Sequence, residues 1–294
     1  MCGSMRAPKI VKAKVRGASH IRSGAPCQDA MLVHQSGGAT ILSVADGHGS
    51  ESCPYSDIGS QVAVEVFRDV METYRLNYQH DPSRLMKFLK EEGTLTFAKE
   101  IDREWKSRIL AKANSQSSEP AIWKLYGTTL LGLYLTPDFY FAFQIGDGDL
   151  LYMNADSVET VLEVEELLGT ETYSLSQSKA WQKANAKVGR LTPNSQPQSF
   201  LLATDGFSNS YGSKGAFQQT AKGYFDAVED YGTEAVSNEL VGWLNETSEG
   251  GSGDDITLMM AVYNIEEPAL PALVKVGLFG KFKQLFRFKK ANPE

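Results

Sequence analysis

Apolar residues recur in two registers along this chain. Short runs rich in β-branched and aromatic side chains, several of them alternating and bounded by Gly, Asp or Pro, predict strands at residues 9–15, 39–45, 128–135, 139–145, 150–154, 200–204 and 256–262. Helical spacing appears between them. Ile58, Val62, Val66, Val70 and Tyr74 stand four apart and predict a helix over about 57–74. Leu85, Phe88 and Leu89, then Phe97, Ile101 and Trp105, extend a second over about 82–113. Residues 181–188 and 233–244 read as shorter helices. Turns at Pro137-Asp138 and at 146–149 join adjacent strands directly, which favours antiparallel meanders over parallel crossovers. The simplest architecture is α+β, with two sheets and helices packed outside them. The polar stretches 115–120 and 194–198 are too short for domain linkers. A single domain over 9–265, followed by a separate tail over 266–294, is expected.

Composition narrows the class. Hydrophobic residues make up 42% and charged residues 22%, the balance of an ordinary soluble globular protein. No apolar run approaches the roughly 18 residues of a membrane span, and no basic-then-apolar export signal opens the chain. Cys2, Cys27 and Cys53 are too few and too scattered for a disulfide framework or a zinc site, so a cytoplasmic setting is expected. The net charge of −7 is unevenly spread. From Pro268 onward six basic residues face Glu294 alone, a net +5, and the remainder carries −12. An acidic body speaks against nucleic-acid binding and suits cations.

Four aspartates share one local setting, each after an apolar run or beside glycine. They are Asp46 in Val44-Ala45-Asp46-Gly47-His48-Gly49, Asp147 in Ile145-Gly146-Asp147-Gly148, Asp205 in Ala203-Thr204-Asp205-Gly206, and Asp254 in Gly253-Asp254-Asp255-Ile256. A sheet holds a strand-end carboxylate rigidly, and the adjacent glycine lets the backbone turn sharply. One Asp-Gly is ordinarily a hairpin turn; four strand-end acids are harder to explain so. Crowded carboxylates repel unless a cation neutralises them, and all-oxygen donors select Mg²⁺ or Mn²⁺ over zinc. Two such ions can lower the pKa of a shared water and clamp a phosphoryl group for in-line attack.

In this order the motifs resemble the type 2C metal-dependent protein phosphatases (the PPM family) over about residues 9–262. The bacterial branch is most similar, with its opening matched by Gly17-Ala18-Ser19-His20 and Pro26-Cys27-Gln28-Asp29. Gly127-Thr128-Thr129 matches as well. The resemblance implies a four-layer α-β-β-α sandwich of two mostly antiparallel sheets flanked by helices. It implies a serine/threonine protein phosphatase with Mn²⁺ or Mg²⁺, two ions and a weaker third. Asp46 would bridge two metals, with the Gly47 carbonyl on one of them. Asp205 and Asp254 would complete the first metal, Asp29 would act through water, and Asp147 would serve the third ion with Asp205. A metal-bridging hydroxide would attack phosphorus without a phosphoenzyme, and His48 would protonate the leaving oxygen. The implied partner is a phosphoprotein opposed by a serine/threonine kinase, with the phosphatase acting as a monomer.

Several positions depart from the family pattern. Gln28 stands where a glutamate is usual and is expected to hydrogen-bond metal water as a supporting residue. Gly24 replaces the usual phosphate-gripping arginine, leaving Arg22, with His20 behind it, as substitutes. Asp255 replaces the usual Asn beside Asp254, and Ser50 replaces a glycine. His34 and His80 read as ordinary residues, and Cys27 and Cys53 as incidental thiols. Residues 277–281 suggest a phosphate loop but lack its spacing and final Ser/Thr. The Ser- and Gly-containing stretch 207–231 is expected to be a mobile, substrate-facing flap, and the acidic run 159–171 a solvated face. The tail, with Val276, Phe279, Phe282, Leu285 and Phe286 at helical steps among basic residues, suits docking on a membrane, a partner or the acidic body. Two alternatives remain open: a catalytically weak, phosphoprotein-binding pseudophosphatase and a small-molecule phosphohydrolase.

Overall fold

The computed structural model describes residues 7–113, 119–163, 172–191 and 196–266. In chain order its strands are β1 (Lys9–Val15), β2 (Ala30–Ser36), β3 (Ala39–Ala45), β4 (Leu130–Leu135), β5 (Phe139–Ile145), β6 (Asp149–Asn154), β7 (Val158–Thr160), β8 (Asn185–Arg190), β9 (Gln198–Ala203) and β10 (Ile256–Tyr263). They form two sheets, ordered β1-β10-β9-β6-β7 and β2-β3-β4-β5-β8, with antiparallel pairing throughout. The helices are α1 (Ala18–Ser23), α2 (Ser56–Asn77), α3 (Pro82–Glu92), α4 (Ala98–Ala113), α5 (Glu119–Lys124), α6 (Asp205–Ser208) and α7 (Lys214–Gly250).

Side-chain alternation explains the layering. On β3, Leu42 and Val44 face the sheet of β1, β10, β9, β6 and β7; together with Leu131 and Leu133 of neighbouring β4 they pack against its Phe200, Leu202 and Met259. Ile41 on the opposite face packs with Val62, Val66, Phe67, Phe97, Ile101 and Trp105 of the helical layer. Such strands are buried on both faces, so they read as unbroken apolar runs. Gly132 in β4 leaves room for the Phe67 ring, because a Cβ there would lie 2.3 Å from it. The far layer is α7, whose Phe217, Ala221, Tyr224, Phe225, Val228, Val236, Leu240 and Leu244 cover Val11, Leu201, Leu258 and Met260. The expected four-layer α-β-β-α sandwich is present.

Three local expectations are corrected. The run 82–113 is not one helix: α3, capped by Asp81 accepting from the Arg84 amide, passes through a π turn at Gly93–Phe97 before α4. That turn resets the register between Leu89 and Phe97, so that Phe97 still enters the core. Residues 181–188 are not a helix but a 3₁₀ turn, Ala180–Lys183, leading into edge strand β8. The proposed flap over 207–231 is largely helix. From Lys214 it forms the first half of α7, which kinks at Gly232 (φ 83°) and is packed into the core. The 159–171 run is described only to Glu163, and the tail from residue 267 lies outside the described residues.

Candidate metal centre

The acids gather at one end of the sandwich because strands end or begin there. Asp29 precedes β2, Asp46 follows β3, Asp147 follows β5, Asp205 opens α6 after β9, and Asp254 and Asp255 precede β10. Carboxylate oxygens of Asp46, Asp147 and Asp205 lie within 4.8 Å of one another. Asp254 lies outside this 4.8 Å group, although its charge acts on both Asp46 and Asp205. It groups instead with His20 and Asp255.

The backbone of Asp46 is fixed by the Gly127-Thr128-Thr129 segment. Its amide donates to Thr129 Oγ1 at 3.0 Å, and its carbonyl accepts from the Thr129 amide and the Thr128 hydroxyl, each at 2.8 Å. Gly206 is required by close approach, since a Cβ there would lie 2.0 Å from the Asp255 carbonyl oxygen. The Asp205 carboxylate accepts from Asn209 Nδ2 at 2.8 Å.

Asp255 is buried, and its two oxygens accept from the Gly17 amide (2.6 Å) and the Gln28 amide (2.7 Å). Its charge is thus met by backbone donors and ties the Gly17 and Gln28 loops to the start of β10. His20 Nδ1 lies 3.0 Å from Asp255 Oδ1, and Nε2 lies 3.7 Å from Asp254 Oδ1. The imidazole therefore faces carboxylates, while Arg22 stands exposed on α1. Two contributors were missed in the sequence. Ser248, at the end of α7, donates to the Asp254 carbonyl (2.8 Å) and accepts from the Ala18 amide (3.0 Å). Asp149, at the start of β6, adds a carboxylate whose Oδ2 is buried without a hydrogen-bond partner. Only the adjacent Gly148-Asp149 pair could have flagged it.

The electrostatics are those of crowded, buried acids. Burial, reinforced by Asp29, Asp205, Asp254 and Asp147, holds the Asp46 carboxyl well above the usual carboxylate range. Asp205 is pushed up to about 7 by burial and then by Asp147 and Asp254. Asp29, only 3% exposed, is also pushed to about 7, chiefly by burial. Burial raises Asp149 to about 6. Thr204 donates to Asp29 Oδ2 at 2.8 Å, but Asp29 Oδ1 and Asp147 Oδ1 are buried without hydrogen-bond partners. Orphaned carboxylate oxygens aimed among like charges are the donor set that a hard divalent cation satisfies. His48, its amide bonded to the Gly127 carbonyl, is held below the usual imidazole range by burial, with Asp147 pulling the other way. Cys27 is pushed up to about 12 by burial and by Asp255 and Asp29, so no thiolate nucleophile forms there.

A helix-flanked double sheet that gathers aspartates where its strands end defines a class, the metal-dependent phosphatases. Within that class the chain belongs to the protein phosphatase 2C family, whose sequence profile matches residues 16–245. No curated protein sequence matches it. Among solved structures it resembles the catalytic domain of the serine/threonine phosphatase PstP in complex with two manganese ions (14% identity, TM-score 0.55, covering 88% of this chain and 99% of that one). PppA, a regulatory component of type VI secretion in Pseudomonas aeruginosa, is similar at 18% identity and TM-score 0.54, covering 88% and 99%. RsbX in complex with magnesium is similar at 13% and 0.51, covering 90% and 98%. These likenesses speak to the fold. No described helix is long and apolar enough to cross a membrane.

Proposed function

We propose that this metal-dependent phosphatase hydrolyses phosphoserine and phosphothreonine in proteins, opposing a serine/threonine kinase. The observation that carries the reading is the Asp46, Asp147 and Asp205 cluster within 4.8 Å, beside buried unpartnered oxygens of Asp29 and Asp147. Asp46, Asp205, Asp254 and the Gly47 carbonyl would hold Mn²⁺ or Mg²⁺, ions found in PstP and RsbX, with Asp29 supporting them. Asp147, joined by Asp205, would hold a third. Bound ions would neutralise the carboxylates and activate water for attack on phosphorus. His20, turned toward Asp254 and Asp255, would position that end of the site. Arg22, on the exposed side of α1, would meet the substrate from outside. The test is phosphate release from phosphoserine, phosphothreonine and phosphotyrosine peptides with and without Mn²⁺. Turnover of small phosphate metabolites in preference to every peptide would overturn the protein-substrate assignment.

His48 would protonate the leaving seryl or threonyl oxygen, a step that a poor leaving group needs and a phenolate does not. His48→Ala is therefore expected to slow phosphopeptide turnover about 100-fold while slowing an aryl phosphate far less. Equal slowing of both would assign His48 a structural role.

The tail from 266 would serve docking and not catalysis. β10 starts beside Asp254 and Asp255 and runs away from them for eight residues, about 24 Å at the strand rise, so the chain after Tyr263 departs from the opposite end. A chain ending at Glu267 is expected to keep phosphopeptide kcat/KM within about twofold, since no proposed ligand lies beyond that point. If the tail docks on an anionic surface, liposome binding is lost on truncation and weakens with salt in the full chain. Loss of catalysis in a folded truncated chain would join tail to site.

A further inference from the structure

Next to Asp147 the surface sinks into a cavity of about 400 Å³, lined in part by Gly146, Glu163, Tyr173, Gln182, Lys183 and Asn185. That is within the roughly 300–1,000 Å³ common for ligand sites. Gly146 is one Cα step, about 3.8 Å, from the Asp147 Cα, so the cavity adjoins the turn that carries Asp147. Its lining carries one basic side chain, Lys183, and one acidic one, Glu163. Residues 172–191 bring Lys179, Lys183, Lys187 and Arg190 and no acid to a body that is otherwise strongly acidic.

Lys183 is held in place within this wall. Its ammonium donates to the Tyr173 hydroxyl at 3.3 Å and lies 4.6 Å from the centre of that ring. It forms no ion pair with a described residue, and an ammonium has three hydrogens to donate. Glu163, the acid on the cavity rim, is turned outward. Its side chain is 76% exposed and lies 3.5 Å from Lys214, while its backbone carbonyl accepts from Asn185 Nδ2 at 2.8 Å. Lys183 therefore offers a positive charge, braced by Tyr173 and without an acidic partner among the described residues, on the wall of a cavity that adjoins the Asp147 turn.

We infer that this cavity is a specificity subsite for a carboxylate side chain, Asp or Glu, lying one to three residues from the phosphoserine or phosphothreonine of the substrate. An extended peptide advances about 3.3 Å per residue, which brings a near neighbour of the phosphorylated residue over Gly146. The inference rests on the protein-phosphatase reading and gives that reading a sequence preference. Lys183 acts here as a specificity-determining residue and takes no part in the chemistry.

The experiment compares kcat/KM at saturating Mn²⁺ for one phosphoserine peptide carrying Glu, Ala or Lys at each position from −3 to +3. An aryl phosphate serves as the control substrate. The wild-type enzyme should prefer Glu over Lys about tenfold at one or two positions, the sum of an attraction gained and a repulsion avoided. Lys183→Gln should level the preference at those positions, and Lys183→Glu should invert it. Both variants should hydrolyse the aryl phosphate within about twofold of wild type, as expected of a surface change that leaves fold and ions intact. An unchanged preference in Lys183→Glu, or no charge preference in wild type, overturns the subsite. An enzyme that hydrolyses the aryl phosphate and no peptide overturns the protein-phosphatase reading, and the subsite with it.

Discussion

Asp205→Asn is expected to lower phosphopeptide kcat/KM about 1,000-fold, the order of rate that several kcal/mol of lost transition-state charge stabilisation removes. The substitution keeps size and shape. Asn209 Nδ2, which donates to the Asp205 carboxylate, still finds an acceptor in the Asn carbonyl. The fold is therefore preserved while the charge shared between proposed ion positions is lost. A second consequence separates this from simple damage. Asp147, Asp254, Asp29 and Asp149 all press on the Asp205 carboxyl, so neutralising it relieves repulsion in the metal-free protein. Metal-free Asp205→Asn should melt a few degrees above wild type at pH 8 and converge on it only as pH falls to about 4, while its calorimetric Mn²⁺ binding weakens. Near-normal activity would remove Asp205 from the site. A lower metal-free Tm at pH 8 would show that its carboxylate is structural.

Metal-free protein should lose stability as pH rises from about 4 to 7, and Mn²⁺ should restore most where most was lost. The sign follows from the direction of the shifts. Asp29 and Asp205, ordinarily near 3.8, are raised to about 7 in the fold, and Asp149 to about 6. Between those values the native state holds protons that the unfolded chain has released, so raising pH favours unfolding until the folded groups have titrated. His48, lowered by burial, works oppositely and costs stability as pH falls below its ordinary 6.5. It is one group against several. Two ions, each at about 100 times its Kd, contribute roughly 2.7 kcal/mol apiece, or about 10 °C or more in Tm for a domain of this size. Scanning calorimetry with chelator and with Mn²⁺ across this pH range measures both. A chelated protein that grows more stable from about pH 4 to 7, or a Tm indifferent to Mn²⁺, would contradict the reading of the cluster as a cation site.

What could be read in the sequence depended on where each element lies. β3, β4, β5, β9 and β10 are covered on both faces, and their apolar runs are unmistakable. β2, β7 and β8, which were not foreseen, are all edge strands. In β8, Asn185, Lys187 and Arg190 are compatible with one solvated edge, and its Val188 joined Trp181 in a false helical period. β1 is an edge too, yet its strict alternation in Lys9-Ile10-Val11-Lys12-Ala13-Lys14-Val15 made it plain. The stretch 207–231 misled through its serines and glycines, although Phe217, Ala221, Tyr224, Phe225 and Val228 carried the helical period throughout. In the site, glycine-flanked aspartates were visible because the geometry demands those neighbours. Ser248 and the role of Asp255 were not, because a side chain that serves distant backbone amides leaves no local pattern.

The clamp made by Asp255 also sets a schedule for assembly. It joins the start of β10 to Gly17, 238 residues earlier, and to Gln28, 227 residues earlier, while β10 also pairs with β1 along its length. Contacts of such separation close late, since the intervening chain must be ordered before they form. On the ribosome, synthesis runs from the N-terminus, so β2 to β5 can pair with their helices well before Asp254 emerges. A nascent chain at that stage would present Asp29, Asp46 and Asp147 on a half-built sandwich, without the strand that places Asp254 and locks the Gly17 and Gln28 loops. Catalytic competence would therefore arrive in a single late step, with the docking of one strand.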